Sequence, residues 1–409
     1  MPHEQLFNHS QLLENIATEL DIPPSKHQQA TDRYMSVGNW LSEKYHREVR
    51  IYPQGSFQIG TVVRPIKEGR ESDYDIDLVC HIESKKSLCD PLDIKHSVGN
   101  CLKENATYRN IIDKEGRRCW TLNYAEQDGI GFHLDVLPAV PESNEFINQL
   151  ILDGISPQAA QKTIAITNRN EKNQYGWTTT NPEAYADWFR SKQTMSDEKI
   201  LQKKQKIVSQ NKITFKSVDD VPDYLIKTPL QMTIQLLKRH RDMRFIDEKD
   251  KPISMIITTL AAQLYQNEQD VYTALASIVG KLISYANHIN ENYNEYKNNS
   301  GLIQKKEDGK WHIPNPVNPN ENFADRWHEN NHSKARAFFR WIKWLNNDIT
   351  TILNLSETSE LLDILQKSFG EQIADKALKK INASSKTKVE TKKDTPHRTE
   401  ISNPIKPWG

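Results

Sequence analysis

The 409-residue chain carries 54 Lys+Arg against 54 Asp+Glu, a formal net charge of zero, so no global field marks it for DNA, RNA or an anionic membrane. The length supports two packed lobes, and no uninterrupted apolar stretch approaches the ~20 residues of a membrane span. Four cysteines without a CxxC pair, behind a start that lacks the basic-then-apolar secretory layout, point to a reducing cytoplasm rather than to a disulfide or zinc scaffold.

In chain order, the spacing of Leu12, Ile16 and Leu20, then Tyr34, Val37, Trp40 and Leu41, predicts two helices between about Ser10 and Lys44. They break near Pro23-Pro24 and would brace the sheet that follows. Strand-like segments come next near Val49–Tyr52, Asp75–Ile82, Tyr108–Asp113, Cys119–Tyr124 and Gly131–Leu137, with a helix around Pro91–Lys103. After about Ser156 the pattern is helical: Pro182–Lys204, Pro229–Arg241, Ile253–Tyr265, Val271–Asn292, Glu321–Asn346 and Glu357–Lys379. Thr228-Pro229-Leu230-Gln231 and Asn318-Pro319-Asn320-Glu321 each read as a helix start with a capping residue and proline at the first helical position. Leu230, Ile234 and Leu237, and likewise Phe338, Trp341 and Leu345, have the spacing of core-facing stripes. From Ala383 the composition turns to Ser, Thr, Lys, Glu and Pro, a tail expected to be disordered that ends at Trp408-Gly409. The expected organisation is α+β, with bracing helices (1–47), a mixed-sheet core (48–155), a helical lobe (156–382) and a tail (383–409).

The chemistry concentrates in two strands. Along Asp75-Ile76-Asp77-Leu78 and Leu134-Asp135-Val136 the side chains alternate, so Asp75 and Asp77 share one face and Asp135 can share it with them. Like charges about 4 Å apart repel by roughly 4 kcal/mol at an effective dielectric near 20, which calls for a cation; Mg²⁺, with Mn²⁺ as an alternative, suits carboxylate oxygens and substrate phosphates. Two such ions about 3.5–4 Å apart can hold the attacking and leaving oxygens of a phosphoryl or nucleotidyl transfer. Asp135 could also ease loss of the attacking hydroxyl's proton. Asp73 lies on the same face, so periodicity leaves the pair Asp73/Asp75 open. Upstream, Gly55-Ser56 offers a turn whose amides and hydroxyl can hold a phosphate. Lys238, in the run Lys238-Arg239-His240-Arg241, is either a cation reaching a triphosphate or part of a solvated helix end.

Gly55-Ser56-Phe57-Gln58-Ile59-Gly60-Thr61, Asp75-Ile76-Asp77-Leu78-Val79 and Leu134-Asp135-Val136-Leu137-Pro138-Ala139 resemble the core motifs of polymerase-β-like nucleotidyltransferases of the oligoadenylate synthetase and cyclic GMP-AMP synthase group. The bacterial branch, the CD-NTases, is the best fit. Further similarity lies in Trp177–Pro182, Lys238–Asp242, Pro252–Leu260 and Asn315–Asn322, so the resemblance spans roughly Tyr52 to Trp344. It implies a nucleotidyltransferase lobe (48–155), an oligoadenylate synthetase-like helical lobe (156–382) and an active site in the cleft between them. It favours Asp75 and Asp77 over Asp73 as paired metal ligands, with Asp135 as the third acid. It assigns Gly55 and Ser56 to the donor phosphates, and Lys238 and Ser254 to the triphosphate from the helical lobe. Its implied activity is Mg²⁺-dependent, template-independent synthesis of a cyclic oligonucleotide, a cyclic dinucleotide first, from ATP, GTP or other NTPs in anti-phage CBASS defence, acting on an effector only through the product. No zinc-binding thumb or long basic surface is visible, so activation by duplex nucleic acid is not expected. Some members are attached through a C-terminal glycine by a ligase resembling ubiquitin E1/E2 enzymes, which makes Gly409 a candidate conjugation site. Two other readings keep the same acids: an RNA-tailing or protein-modifying nucleotidyltransferase, which would need a basic acceptor groove, and an inactive nucleotide-binding module, which would not need all three carboxylates.

Overall fold

The computed structural model describes residues 2–67, 70–125, 131–210, 216–246, 248–286, 301–355 and 359–381. The expected disordered tail and its terminal Gly409 lie outside the described residues. Among those described, no helix is long and apolar enough to cross a membrane, and all four cysteines are unpaired.

A six-stranded mixed sheet forms one lobe. From one edge its order is Val49–Gln54, Tyr74–Ile82, Phe132–Pro141, Ile164–Arg169 and Tyr175–Thr180, with Trp120–Tyr124 also paired to Phe132–Pro141. Tyr74–Ile82 and Phe132–Pro141 run parallel, and the other pairs are antiparallel. A parallel pair needs a long crossover, which carries the helix Pro91–Glu104, capped by the Asp90 side chain on the amides of Leu92 and Asp93. Ile94, Val98 and Leu102 of that helix share a buried core with Ile76, Leu78, Leu134 and Val136, the face opposite the aspartates. Period-two alternation therefore divides each central strand between a dry side and an acidic side.

Several predicted elements differ in the structure. Tyr108–Asp113 is not a strand: Asn105 accepts from the amides of Thr107 and Tyr108 and starts the helix Ala106–Ile111, leaving only an isolated bridge between Ile112 and Leu122. Strands Ile164–Arg169 and Tyr175–Thr180 extend the sheet into the stretch read as the beginning of the helical lobe. The helix predicted over Pro182–Lys204 is two, Pro182–Ser191 and Asp197–Gln210. Asn318-Pro319 caps nothing; Asn318–Asn322 is a strand against Pro314–Asn315, and the helix begins only at Glu329. The cap motif misleads there because Asn322 accepts from the amides of Ile313 and Ala324, a turn chemistry that competes with helix formation. Of the two N-terminal helices, only Pro24–Lys44 lies on the sheet; Leu12, Leu13, Ile16 and Leu20 of Pro2–Leu20 belong to the core of the helical lobe.

That second lobe is organised around Pro229–Arg244, whose Thr228/Gln231 capping box forms as expected. Leu230, Ile234 and Leu237 are buried in the same core as Phe338, Trp341 and Leu345 of the helix Glu329–Asn354. The helix also faces the sheet lobe, where the backbone of residues 59–64 runs across it. Gln231 Nε2 donates to the Ile59 carbonyl at 2.9 Å and Lys227 Nζ to Gly60 at 3.2 Å. Lys238 Nζ donates to Thr61 O at 3.0 Å, Gln235 Nε2 to Val62 O at 2.7 Å and Arg239 to Arg64 O at 2.7 Å. Gly60 holds a φ of +68°, and a Cβ there would stand 2.5 Å from Gln231 Nε2, so the loop can meet the helix only with glycine at that point.

Buried carbonyls that lose their donors carry a desolvation penalty of about 1–3 kcal/mol each. Gln235 is fully buried and also donates to Asp21 at 3.0 Å. Gln235→Leu is expected to lower unfolding free energy by about 1–3 kcal/mol. Urea titration followed by tryptophan fluorescence measures it, and an unchanged midpoint would show that the loop needs no such donor.

Candidate active site

The acidic side of the sheet opens on a cleft of about 880 Å³ between the lobes, near the upper end of the ~300–1,000 Å³ usual for small-molecule sites. Asp75, Asp77, Gly55 and Ser56 line it from the sheet, and Lys238, Arg241 and Ser254 from the helical lobe. Parallel pairing puts Asp77 in register with Asp135 and Asp75 with His133. Neighbouring strands lie about 4.8 Å apart, so the two register partners present adjacent carboxylates, with Asp75 two residues along on the same face.

The electrostatics are those of an anionic site without its counter-charge. Burial pushes the Asp77 carboxyl up to about 7, and the negative charges of Asp135 and Asp75 add to the effect. Asp75 is the open member, with its side chain 78% exposed to the cleft; the surrounding walls still raise its pKa, opposed by the His133 hydrogen bond. Among the described residues no group of three or more His, Cys, Asp or Glu side chains stands arranged to hold a metal ion. Each outer carboxylate leans on a protein donor: Asp75 Oδ1 on His133 Nδ1 at 3.1 Å, Asp135 Oδ1 on the Thr121 hydroxyl at 2.5 Å. Three hard oxygen donors on one sheet face, one of them held partly protonated by its neighbours, fit a divalent cation such as magnesium. Asp73 is placed otherwise. It precedes the strand, its Oδ1 accepts from the Gly131 amide at 2.7 Å, and Asp77 rather than Asp73 pairs with Asp135.

Gly55 has a φ of +63°, and a Cβ on it would approach Asp77 Oδ2 to 3.0 Å. The turn is thus pressed directly against the half-buried Asp77. Ser56 follows in the short helix Gly55–Gln58, and its carbonyl accepts from Thr61 N at 2.9 Å. Lys238 lines the cleft, yet its ammonium donates to both Thr61 O and Thr61 Oγ1 at 3.0 Å, and burial, reinforced by Arg241, lowers its pKa to about 7. Ser254 Oγ accepts from Arg241 Nη1 at 2.8 Å, leaving its own proton to donate. The basic run is not a solvated helix end: Lys238, Arg239, His240 and Arg241 are all buried. His240 meets Asp348 at 2.9 Å, and Arg241 meets Asp242 at 2.9 Å.

Sequence reasoning missed His133, Thr121, Arg241, Arg118 and Glu321, the last two also facing the cleft. His133 could have been found, since it lies two residues before Asp135 on the same strand face. Thr121 could not, because only the antiparallel register of Trp120–Tyr124 sets it opposite Asp135.

The family described as "Cyclic GMP-AMP synthase DncV-like, nucleotidyltransferase domain" matches residues 49–138, the stretch that carries the turn and all three acids. A protein of Roseivirga ehrenbergii named c-di-GMP synthase is 30% identical over 340 residues, covering 82% of this chain and 76% of that protein. The chain belongs to the CD-NTase family of nucleotidyltransferases. The cyclic dinucleotide synthase CdnG of Bradyrhizobium diazoefficiens is 24% identical to this CD-NTase over 389 residues, 91% of this chain and 82% of its own. In fold, the Bradyrhizobium diazoefficiens CdnG structure in complex with GTP aligns with a TM-score of 0.68 at 21% identity, over 91% of this chain and 99% of its own. Escherichia coli CdnC with ATP aligns at 0.55 with 14% identity, over 88% and 97%.

The raised Asp77 pKa has a consequence for stability. The folded state holds this proton up to about pH 7, whereas an unfolded aspartate releases it near 3.8. Between those values the folded state binds more protons, so stability falls as pH rises. Asp77→Asn is therefore expected to raise the melting temperature at pH 8 in chelator, with the gain shrinking towards pH 4. Differential scanning fluorimetry across that range checks it, and a gain that grows on acidification would contradict the assignment.

Proposed function

We propose that this CD-NTase joins nucleoside triphosphates into a cyclic dinucleotide, with Asp75, Asp77 and Asp135 as the residues that would hold magnesium. The observation that supports this reading is the strand register that sets Asp135 opposite Asp77, with Asp77 and Asp75 lining the cleft and the Gly55 turn against Asp77. Its named relatives are cyclic dinucleotide synthases. Magnesium bound there would neutralise the acids and the triphosphate and polarise the reacting phosphoryl oxygens.

The protein's own groups take the remaining roles. A ribose hydroxyl of one nucleotide attacks the α-phosphorus of another; the new P–O bond forms as the bond to pyrophosphate breaks. Asp135, which accepts from the Thr121 hydroxyl, would receive the hydroxyl's proton. The Gly55-Ser56 turn and the Ser254 hydroxyl would orient the donor phosphates, and Lys238 keeps the loop after that turn in place through Thr61. A second transfer of the same kind closes the ring. Zero net charge favours this over tailing of a long RNA, which needs a basic track. The product would act through an effector in anti-phage CBASS defence, as the family resemblance implies.

Incubation with α-labelled NTPs and Mg²⁺, followed by phosphatase and mass measurement, tests the reading: a cyclic dinucleotide emerges unchanged with the mass of the closed ring, whereas a linear product loses its terminal phosphates and an AMP-modified protein carries its label on the protein. Asp75→Asn or Asp77→Asn should each reduce turnover by at least about a hundredfold, the scale on which lost transition-state electrostatics act. Neither should lower the melting temperature. Turnover near that of the unaltered protein in either variant would contradict the metal assignment.

A further inference from the structure

Gly55, Ser56, Gln58 and Ile59 line the cleft, but Phe57, in the middle of the same turn, packs instead on the helix Pro24–Lys44. Its ring stacks on His27 of that helix with centroids 4.6 Å apart and planes 18° from parallel. Tyr224 stacks on the same imidazole at 3.7 Å and 2°. Two parallel rings at these distances would overlap if they shared one face, so the imidazole is sandwiched between them. The edge of the arrangement is closed by Tyr34, which meets Phe57 nearly at right angles, 77°, at 6.2 Å. Tyr224 lies in the short turn Asp223–Leu225 that leads into the Thr228-capped helix, and Asp223 is paired with Lys204 at 2.9 Å. Three residues further on, Lys227 donates to Gly60 O, so one segment of the helical lobe reaches both the middle and the exit of the turn.

The helix Gly55–Gln58 is a single turn of four residues, too short to be stable by itself, because nucleation costs more than one turn of hydrogen bonds returns. Its position is therefore set by what its side chains touch. The donors from Gln231 and Lys227 fix Ile59 and Gly60, where the chain leaves the turn, and Phe57 anchors the turn from within. We infer that the stack of Phe57, His27 and Tyr224 positions the Gly55-Ser56 turn for nucleotidyl transfer, which makes His27 and Tyr224 positioning residues outside the cleft. The inference rests on the nucleotidyltransferase reading of the cleft. Parallel stacking fixes the height and tilt of the Phe57 ring, and Ser56 is its immediate neighbour along the backbone. Burial and the charge of Lys227 lower the His27 pKa to about 4, so the imidazole enters the stack neutral and brings no charge that would need solvent. What the stack uses is then the flat ring of His27 rather than its proton, and another flat ring can replace it where an aliphatic side chain cannot.

The test uses the full chain with Mg²⁺ and NTPs and measures kcat and KM separately, well below the melting temperature of each variant. His27→Leu keeps the bulk but not the flat ring, and it should lower kcat by about tenfold or more with KM little changed, on the scale by which small misplacements slow a transfer. His27→Phe keeps a flat ring and drops the nitrogens, and it should restore most of that loss. Tyr224→Leu, at the far end of the stack, should reproduce the loss, and the double variant should be no slower than either single one because both remove the same stack. Where His27→Leu folds poorly, Tyr224→Leu carries the same reading. Unchanged kcat in a folded His27→Leu or Tyr224→Leu protein whose melting temperature alone has dropped, or no recovery in His27→Phe, would show that the rings only fill space and would overturn the inference while cyclic product still formed. No turnover of any NTP by the unaltered protein would overturn the nucleotidyltransferase reading and this role with it.

Discussion

The contact on which the site depends is the row of polar side chains that the helix Pro229–Arg244 and the residues just before it extend to the backbone of residues 59–64. Lys227, Gln231, Gln235, Lys238 and Arg239 each donate to a carbonyl of that loop. Its carbonyls are buried between two lobes, where an unmet acceptor costs more than a met one gains, so the loop has one low-energy position on the helix. The preceding turn at Gly55 is in turn pressed on Asp77. Through this chain of contacts the helical lobe sets how close the Gly55-Ser56 turn comes to Asp77.

A protein of zero net charge can still bind polyanionic substrates because its charges are sorted by depth. Asp75 and Asp77 line the cleft, and burial together with the charges of Asp135 and Asp75 raises the Asp77 pKa to about 7. Two cations of the helical lobe are neutralised locally, Arg241 by Asp242 and Arg244 by Asp348. On the proposed function, positive charge for the triphosphate would come mainly with a divalent cation, and nucleotide binding would then depend on that cation.

The parts of the site that were legible in the sequence are those governed by neighbours along the chain. Alternation put Asp75 and Asp77 on one face, and Thr228-Pro229-Leu230-Gln231 capped its helix as expected. The similar motif at Asn318-Pro319 did not, because Asn322 is engaged by the amides of Ile313 and Ala324 and holds a strand turn. Tyr108–Asp113 has strand-forming residues, yet Asn105 caps it into a helix. In both cases a single Asn side chain bonding to nearby amides outweighed average propensity.

The amino-acid sequence alone determined that three aspartates occur on apolar-alternating strands behind a Gly-Ser turn, and that a neutral chain must bind phosphate locally, since these follow from spacing and composition. Tertiary structure decided that Asp77 rather than Asp73 stands opposite Asp135, that Lys238 is bound to Thr61, that His133 and Thr121 bond to Asp75 and Asp135, and that Arg118 and Glu321 line the cleft. Register between strands separated by more than fifty residues, and burial against another lobe, depend on long-range pairing that no local pattern encodes.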